Sequence, residues 1–282
     1  MCFNFHHLKV DYKDGDKWAL AAPDYKRLKE LFMQWQLGMQ AGGGWNALFW
    51  CNHDQPRIVS RMGDEGDYWK ESAKMLAGMI HLMRGTPYIY QGEEIGMLNA
   101  HYSSIGQYRD VESLNYYQIL LEKGRTEEEA LQILAARSRD NGRTPMQWNG
   151  GTYGGFSEAE PWLSLSGAFR EEITAEFQKE DPDSILSFYK MLISLRKKRP
   201  VIAEGTISFL ETGNDMTLAY ERELGSDKIA VFCNLGKEEQ TVPIGKEWTG
   251  GKLLLENYRE RRNAPEAETF VMKPYEIMAI EK

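Results

Sequence analysis

The sequence predicts a parallel α/β region followed by an all-β module, and three observations carry that expectation. Up to residue 97, short apolar runs alternate with amphipathic stretches, and each run ends in polar residues, as parallel strands joined by helices do. From Gly205 onward, short strand-like segments recur at fairly even spacing, the pattern of an antiparallel β-sandwich. Between the two lies a long, polar, irregular stretch, 98–180, and loops of that length inside a compact domain usually carry function.

In chain order, Met1 to His7 alternates, with Phe3 and Phe5 apolar, and predicts a strand. A charged loop, Lys9 to Lys17, follows. Pro23 to Gln40 places Leu28, Leu31, Phe32 and Trp35 at helical spacing. After a glycine turn, Asn46 to Cys51 predicts a buried strand that breaks into Asn52-His53-Asp54-Gln55-Pro56-Arg57. Trp69 to Met83 predicts a helix buried through Ala73, Leu76, Ala77, Ile80 and Met83, and Thr86 to Tyr90 a third short strand. Within the irregular stretch one helix is expected, about Glu127 to Arg137. Asp181-Pro182 predicts a cap and first helical position for a helix running to Arg199 and closed by Pro200. Strands are expected at 206–210, 217–222, 229–234, 241–244, 253–256 and 276–280, with a domain boundary near residue 201, giving domains 1–200 and 201–282.

Composition narrows the class. A hydrophobic content of 42% suffices for a core, and the mean hydropathy of −0.55 offers no run long enough to cross a bilayer. Net charge −8 and a pI near 5.3 argue against a nucleic-acid partner, and no membrane partner is expected. Cys2, Cys51 and Cys233 lie far apart without metal spacing, which suits reduced thiols and a cytoplasmic location. His6-His7 predicts no metal site, since no neighbouring cluster completes a ligand set; no metal and no cofactor are expected.

The chemistry-bearing stretch is the polar cluster after the second strand. A strand that delivers such side chains at its C-terminal end is how a β/α barrel builds a site. Taken alone, His53-Asp54 also suits an ordinary polar exit from a strand. Three strands with two connecting helices are too few to close a barrel of eight.

Four runs together resemble one family: Asn52 to Arg57, Gly85 to Met97, Tyr108-Arg109-Asp110, and Arg139 to Trp148. They are similar to the α-amylase family of glycoside hydrolases, family 13, in the oligo-1,6-glucosidase subgroup. Within it, Phe3 to Tyr12 is similar to the trehalose-6-phosphate hydrolases. The resemblance implies strands six to eight of a (β/α)8 TIM barrel followed by a β-sandwich, and a retaining cleavage of α-glucosides. Such cleavage needs a carboxylate nucleophile and a carboxylic acid. In the family these come from strands four and five, and no Gly-Phe-Arg-x-Asp occurs here. The expectation is therefore the C-terminal half of a longer enzyme, inactive alone, whose partners are the missing N-terminal half and a small-molecule glucoside, a phosphorylated disaccharide.

By the same resemblance, Asp54 is the family's third catalytic carboxylate, with His53 beside it on the glucose hydroxyls. Arg139 holds a glucose hydroxyl and a carboxylate, a task suited to a rigid fork. Glu112 matches a contact to the second sugar, or else forms a loop salt bridge. Lys9, Lys13 and Lys17 lie on the rim where a phosphate needs cations, or else form a solvated loop; Lys17 is favoured through its Lys-Trp pair. Glu93 and Glu94 match no catalytic carboxylate and are expected to be structural. The competing readings are an oligo-1,6-glucosidase or another α-glucosidase, and a non-catalytic binding subunit of the same fold.

Overall fold

The computed structural model describes residues 1–259 and 265–282. Three strands, β1 (Cys2–Phe3), β2 (Asn46–Leu48) and β3 (Thr86–Pro87), form a parallel sheet in that order. Helices α1 (Tyr25–Ala41) and then α2 (Ile58–Met62) and α3 (Trp69–His81) connect them. The strand-helix alternation read from the sequence holds, but the strands are shorter than expected. The first gives way to a 3-10 turn at His6–Lys9, because the His7 ring turns inward and its Nε2 sits 2.8 Å from the Phe49 carbonyl oxygen. His6 stays exposed against Asn4.

Helix α1 follows its sequence pattern. Asp24 accepts the Arg27 amide as N-cap, and Leu28, Leu31 and Phe32 are buried. In contrast, α3 was expected to bury one face and is buried continuously from Ser72 to His81. Its second face meets the β-rich part. A Cβ on Gly78 would lie 2.6 Å from Ile277 Cδ1, so only glycine permits that approach.

The irregular stretch contains more helix than expected. Besides α5 (Glu127–Arg137), found where predicted, it holds α4 (Val111–Glu122) and α6 (Ala175–Glu180). Asp110 and Thr174 cap them by accepting amides three residues on; those cap signals are legible in the sequence and were passed over. The expected Asp181-Pro182 cap is displaced. Ser184 caps α7 (Ile185–Lys198), while Asp181 accepts the Asp183 amide at 2.8 Å in a turn before it. Pro200 opens a further short helix, α8 (Pro200–Glu204), instead of merely closing α7.

The β-rich part has two antiparallel sheets. The larger runs β4 (Thr206–Leu210), β5 (Thr217–Leu224), β6 (Asp227–Asn234), β10 (Ile277–Glu281), β8 (Lys252–Glu256); the smaller pairs β7 (Gln240–Pro243) with β9 (Thr269–Met272). Strand β9 was missed by sequence reasoning. Alternation along the larger sheet divides its side chains. Leu218, Tyr220, Ile229, Val231, Leu255 and Ile277 join the same apolar cluster as Leu8, Trp50 and Leu76. Ala219, Phe232, Met278 and Ile280 pack with Val242, Trp248 and Met272. One core thus spans both sides of residue 200. No helix among the described residues is long and apolar enough to cross a membrane.

Glu93, in a 3-10 turn after β3, is 4% exposed. Tyr189 donates to its Oε1 at 2.8 Å, and the buried Cys51 thiol is a further hydrogen-bond partner of the carboxyl. Burial raises its carboxyl from 4.5 to about 7, and half-buried Glu94 is raised by the same cause. Glu93 is thus a buried carboxyl packed against Tyr189, and it keeps a proton that the unfolded chain would lose. The folded state therefore binds more protons between those two values, and stability falls as pH rises through them, by roughly 3 kcal/mol. Glu93→Gln keeps an oxygen for Tyr189 and is expected to flatten that fall. Denaturant midpoints of both proteins from pH 4 to 8 test this, and parallel profiles would refute it.

Candidate functional site

The candidate site is assembled entirely from segments that follow the C-terminal ends of the three parallel strands, the end where β/α architectures place chemistry. Asp54 stands just after β2. Asn52 Oδ1 accepts the Asp54 amide at 2.8 Å, an Asx turn that aims the side chain outward. The side chain is 43% exposed and its Oδ2 lies 3.1 Å from His53 Nε2.

Two arginines reach Asp54 from the irregular stretch. Arg143 Nη2 donates to its Oδ1 at 3.1 Å, and Arg143 Nε donates to the His53 carbonyl at 2.8 Å. Arg139 Nη1 stands 3.7 Å from the same Oδ1. Their segment is locked locally. Ser138 Oγ accepts the Asp140 amide; the buried Asp140 Oδ2 accepts the amides of Arg109 and Asp110 at 2.8 and 2.9 Å. Asn141 accepts the Ala100 amide and donates to the Ala135 carbonyl. Gly142 lets this turn close on the other motif, since a Cβ there would meet the Gln55 and Asn52 carbonyls at 2.7 and 2.9 Å.

The network continues to the lysine loop. Arg139 Nη2 and Nε donate to Asp110 Oδ1 at 2.6 and 3.1 Å, and Nε lies 3.3 Å from Glu112 Oε2. The same Glu112 oxygen accepts Lys17 Nζ at 2.6 Å. Lys17 also lies over the Trp18 ring at 4.6 Å. Burial would raise the Asp110 carboxyl, but the hydrogen bonds from Arg139 and Ser113 hold it below its ordinary value. The bond to Asp110 in turn raises Arg139, so this pair is ionised across ordinary pH.

Asp54, His53, Arg139, Glu112 and Lys17, all singled out from the sequence, are therefore one connected array. Lys9 and Lys13 are not part of it: both are exposed, and among the described residues neither makes an ion pair. Arg143 and Asp110 belong to it and were not assigned a role by sequence reasoning. The available signals were Arg143 lying four residues after Arg139, and Asp110 preceding a helical pattern. The array mixes carboxylates, guanidinium groups and an imidazole within hydrogen-bond reach of a shared open surface, which suits polyhydroxylated ligands. Among the described residues no group of three or more His, Cys, Asp or Glu could hold a metal ion.

Comparison with known proteins completes the description. The family model for alpha amylase, catalytic domain, matches residues 1–205. The chain is 48% identical over 281 residues to the trehalose-6-phosphate hydrolase of Bacillus subtilis (strain 168), covering 98% of this chain and 49% of that protein. It is 48% identical over 278 residues to the trehalose-6-phosphate hydrolase of Escherichia coli (strain K12), with coverage of 99% and 50%. Identity to the oligo-1,6-glucosidase of Bacillus cereus is 41% over 281 residues, with coverage of 99% and 50%. The crystal structure of Bacillus licheniformis trehalose-6-phosphate hydrolase superposes with a TM-score of 0.93 at 47% identity, covering 99% of this chain and 50% of the other. The chain spans about half the length of the curated relatives it matches.

Proposed function

This chain belongs to the α-amylase family, whose fold is a TIM-barrel-type glycosidase, and from that premise we propose that it supplies the sugar-gripping half of a retaining α-glucoside hydrolase acting on a phosphorylated disaccharide of the trehalose 6-phosphate type. The observation that carries this reading is the continuous array from His53-Asp54 through Arg139 and Glu112 to Lys17. It offers hydroxyl-binding groups at one end and a cation at the other. Asp54 and His53 hold the hydroxyls of the glucose being cleaved. Arg139 and Arg143 fix Asp54, and Lys17 meets the phosphate-bearing sugar, exchanging Glu112 for the phosphate. Lys9 and Lys13 add positive potential on the same loop without direct contact.

The nucleophile and the acid come from the half that this chain does not match in its relatives. Coverage of 49% of the Bacillus subtilis protein supports that division. So do the outer strands of the parallel sheet: among the described residues β1 and β3 each lack a neighbour on one side, and Phe3, Phe5, Tyr88 and Ile89 are exposed around them. Unpaired edges and uncovered apolar faces call for a partner. The three strands fit positions six to eight of a barrel, residues 1–200 its catalytic part and 201–282 a sandwich domain; the match to the catalytic-domain model through 205 supports the boundary. The distant thiols support a cytoplasmic setting.

The test is a fusion of this chain to the unmatched half of the Bacillus subtilis relative. Glucose release from trehalose 6-phosphate is expected from the fusion and not from the chain alone. Turnover by the chain alone would show that it holds a complete catalytic set. The second reading is an oligo-1,6-glucosidase, supported by the lower, 41% identity to such an enzyme; fusion activity on isomaltose without activity on trehalose 6-phosphate would establish it.

A further inference from the structure

The segments that carry the sugar-binding array also carry a second, buried set of charges. Asp11, 2% exposed, accepts Arg61 Nε on Oδ2 at 2.7 Å and Arg61 Nη2 on Oδ1 at 2.6 Å. Arg137 Nη1 donates to Oδ2 from the other side, and Arg137 Nη2 donates to the Asp11 carbonyl at 2.6 Å. The Tyr12 ring has the Arg61 guanidinium at 5.5 Å and that of Arg137 at 5.2 Å. One carboxylate thus serves two buried cations.

The three residues belong to the three segments that carry the site. Asp11 is in the lysine loop, six residues before Lys17; Arg61 is in α2, seven after Asp54; Arg137 ends α5, two before Arg139. Arg61 also donates to Gln55 Oε1 at 3.0 Å, next to Asp54, and to the Leu8 carbonyl at the start of the loop. At its far end the loop is held by Trp18, buried and stacked on Tyr116 at 4.5 Å, and the turn between Asp11 and Lys17 is the part left without such support. Its backbone turns on itself through the Lys13 amide to the Ala19 carbonyl, and Asp14, Gly15 and Asp16 are exposed.

We infer that Asp11 is a positioning residue: it anchors the lysine loop to the Asp54 and Arg139 segments and thereby sets Lys17 against Glu112. Without its charge, Arg61 and Arg137 face each other uncompensated inside the protein, which is costly, and the exposed turn between Asp11 and the Trp18 anchor is the segment that yields. Burial would raise the Asp11 carboxyl, but Arg61 and Arg137 hold it below its ordinary value, so the anchor stays ionised through neutral pH.

The test compares wild type with Asp11→Asn, which keeps the shape and removes the charge, and Asp11→Glu, which restores it. In limited trypsin digestion of the full 282-residue chain, Asp11→Asn is expected to raise cleavage after Lys17 at least tenfold while cleavage after the exposed Lys246 is unchanged; Asp11→Glu brings it back towards wild type. Unchanged cleavage after Lys17, or an equal rise at both positions, overturns the inference. In the fusion described above, on whose activity this second arm rests, Asp11→Asn raises KM for trehalose 6-phosphate about tenfold with kcat within twofold. KM for p-nitrophenyl α-glucoside stays put. Equal KM rises for both substrates count against it. A fusion inactive on every glucoside overturns the functional reading, whereas the digestion still decides the role of Asp11.

Discussion

Replacing Asp54 by alanine lowers kcat/KM of the fused enzyme on trehalose 6-phosphate about a thousandfold, with the loss mainly in kcat. Hydrogen bonds to the hydroxyl next to the reacting carbon strengthen as positive charge develops there, and in glycosidases they supply several kcal/mol. Each 1.36 kcal/mol is a factor of ten, so losing such bonds approaches three orders of magnitude. Interactions that tighten only in the transition state act on kcat. The structure adds a second contribution, because Asp54 is also the carboxylate that Arg143 grips at 3.1 Å and Arg139 faces at 3.7 Å. Removing it leaves two guanidinium groups to repel cationic character in the sugar. Folding is not the cause of the loss: Asp54 is 43% exposed, and solvent-exposed ion pairs contribute little to stability. Steady-state kinetics with a melting curve on the same preparation check the prediction. A loss under tenfold, or a KM effect with unchanged kcat, would remove Asp54 from the reaction.

Replacing Arg222 by alanine destabilises the chain by about 4 kcal/mol, the cost expected for stripping a buried cation from its acceptors. Arg222 is fully buried in β5, and its donors reach carbonyl oxygens of Leu82 and Ile202 at 2.7 Å, of Gly205 at 2.6 Å and of Thr206 at 3.0 Å. Those oxygens lie at the ends of helices α3 and α8 or begin β4, so one guanidinium caps both helix ends, with Arg196 Nη1 reaching the Ile202 carbonyl as well, at 3.5 Å. Burial lowers its pKa to about 10, which leaves it charged at neutral pH. The expected readout is a melting temperature about 10 °C lower, from about 2–4 °C per kcal/mol for a chain of this size class. Arg222→Lys, a point charge without the planar fork, should fall between. A shift of under 2 °C would mean that water satisfies the carbonyls once the side chain is gone.

Sequence and structure agree where the signal is local. Helix α5 begins at Glu127 because its N-cap Thr126 forms a capping box with Glu129, and the two residues lie three apart in plain sight. Strands β5 and β6 likewise show in their apolar runs, Leu218 to Tyr220 and Ile229 to Cys233. The strands β1 and β3 came out shorter than predicted because ladder hydrogen bonds, not apolar content, define a strand. Among the described residues Cys2–Phe3 and Thr86–Pro87 each pair with β2 alone. The helix α3 shows the limit of periodicity: a stretch that reads as one-sided is covered on both sides because a sheet more than 130 residues later packs on it.

The sequence by itself determined the family through its contiguous runs and the α/β then all-β order, and it singled out five residues that the structure joins in one array: His53, Asp54, Glu112, Arg139 and Lys17. Motif residues are legible because their chemistry is fixed within a few positions of one another. Only the tertiary structure decided which charges meet. Asp11, Arg61 and Arg137 lie far apart in the chain, and the loop lysines are alike in composition, yet Lys17 alone among them joins Glu112, while Lys9 and Lys13 stay in solvent. Arg222 reads as an ordinary strand residue until the helix ends arrive around it. The physical reason is the same in each case: a charge is stabilised by the partner that folding brings to it, and sequence spacing does not record distances that long-range packing creates.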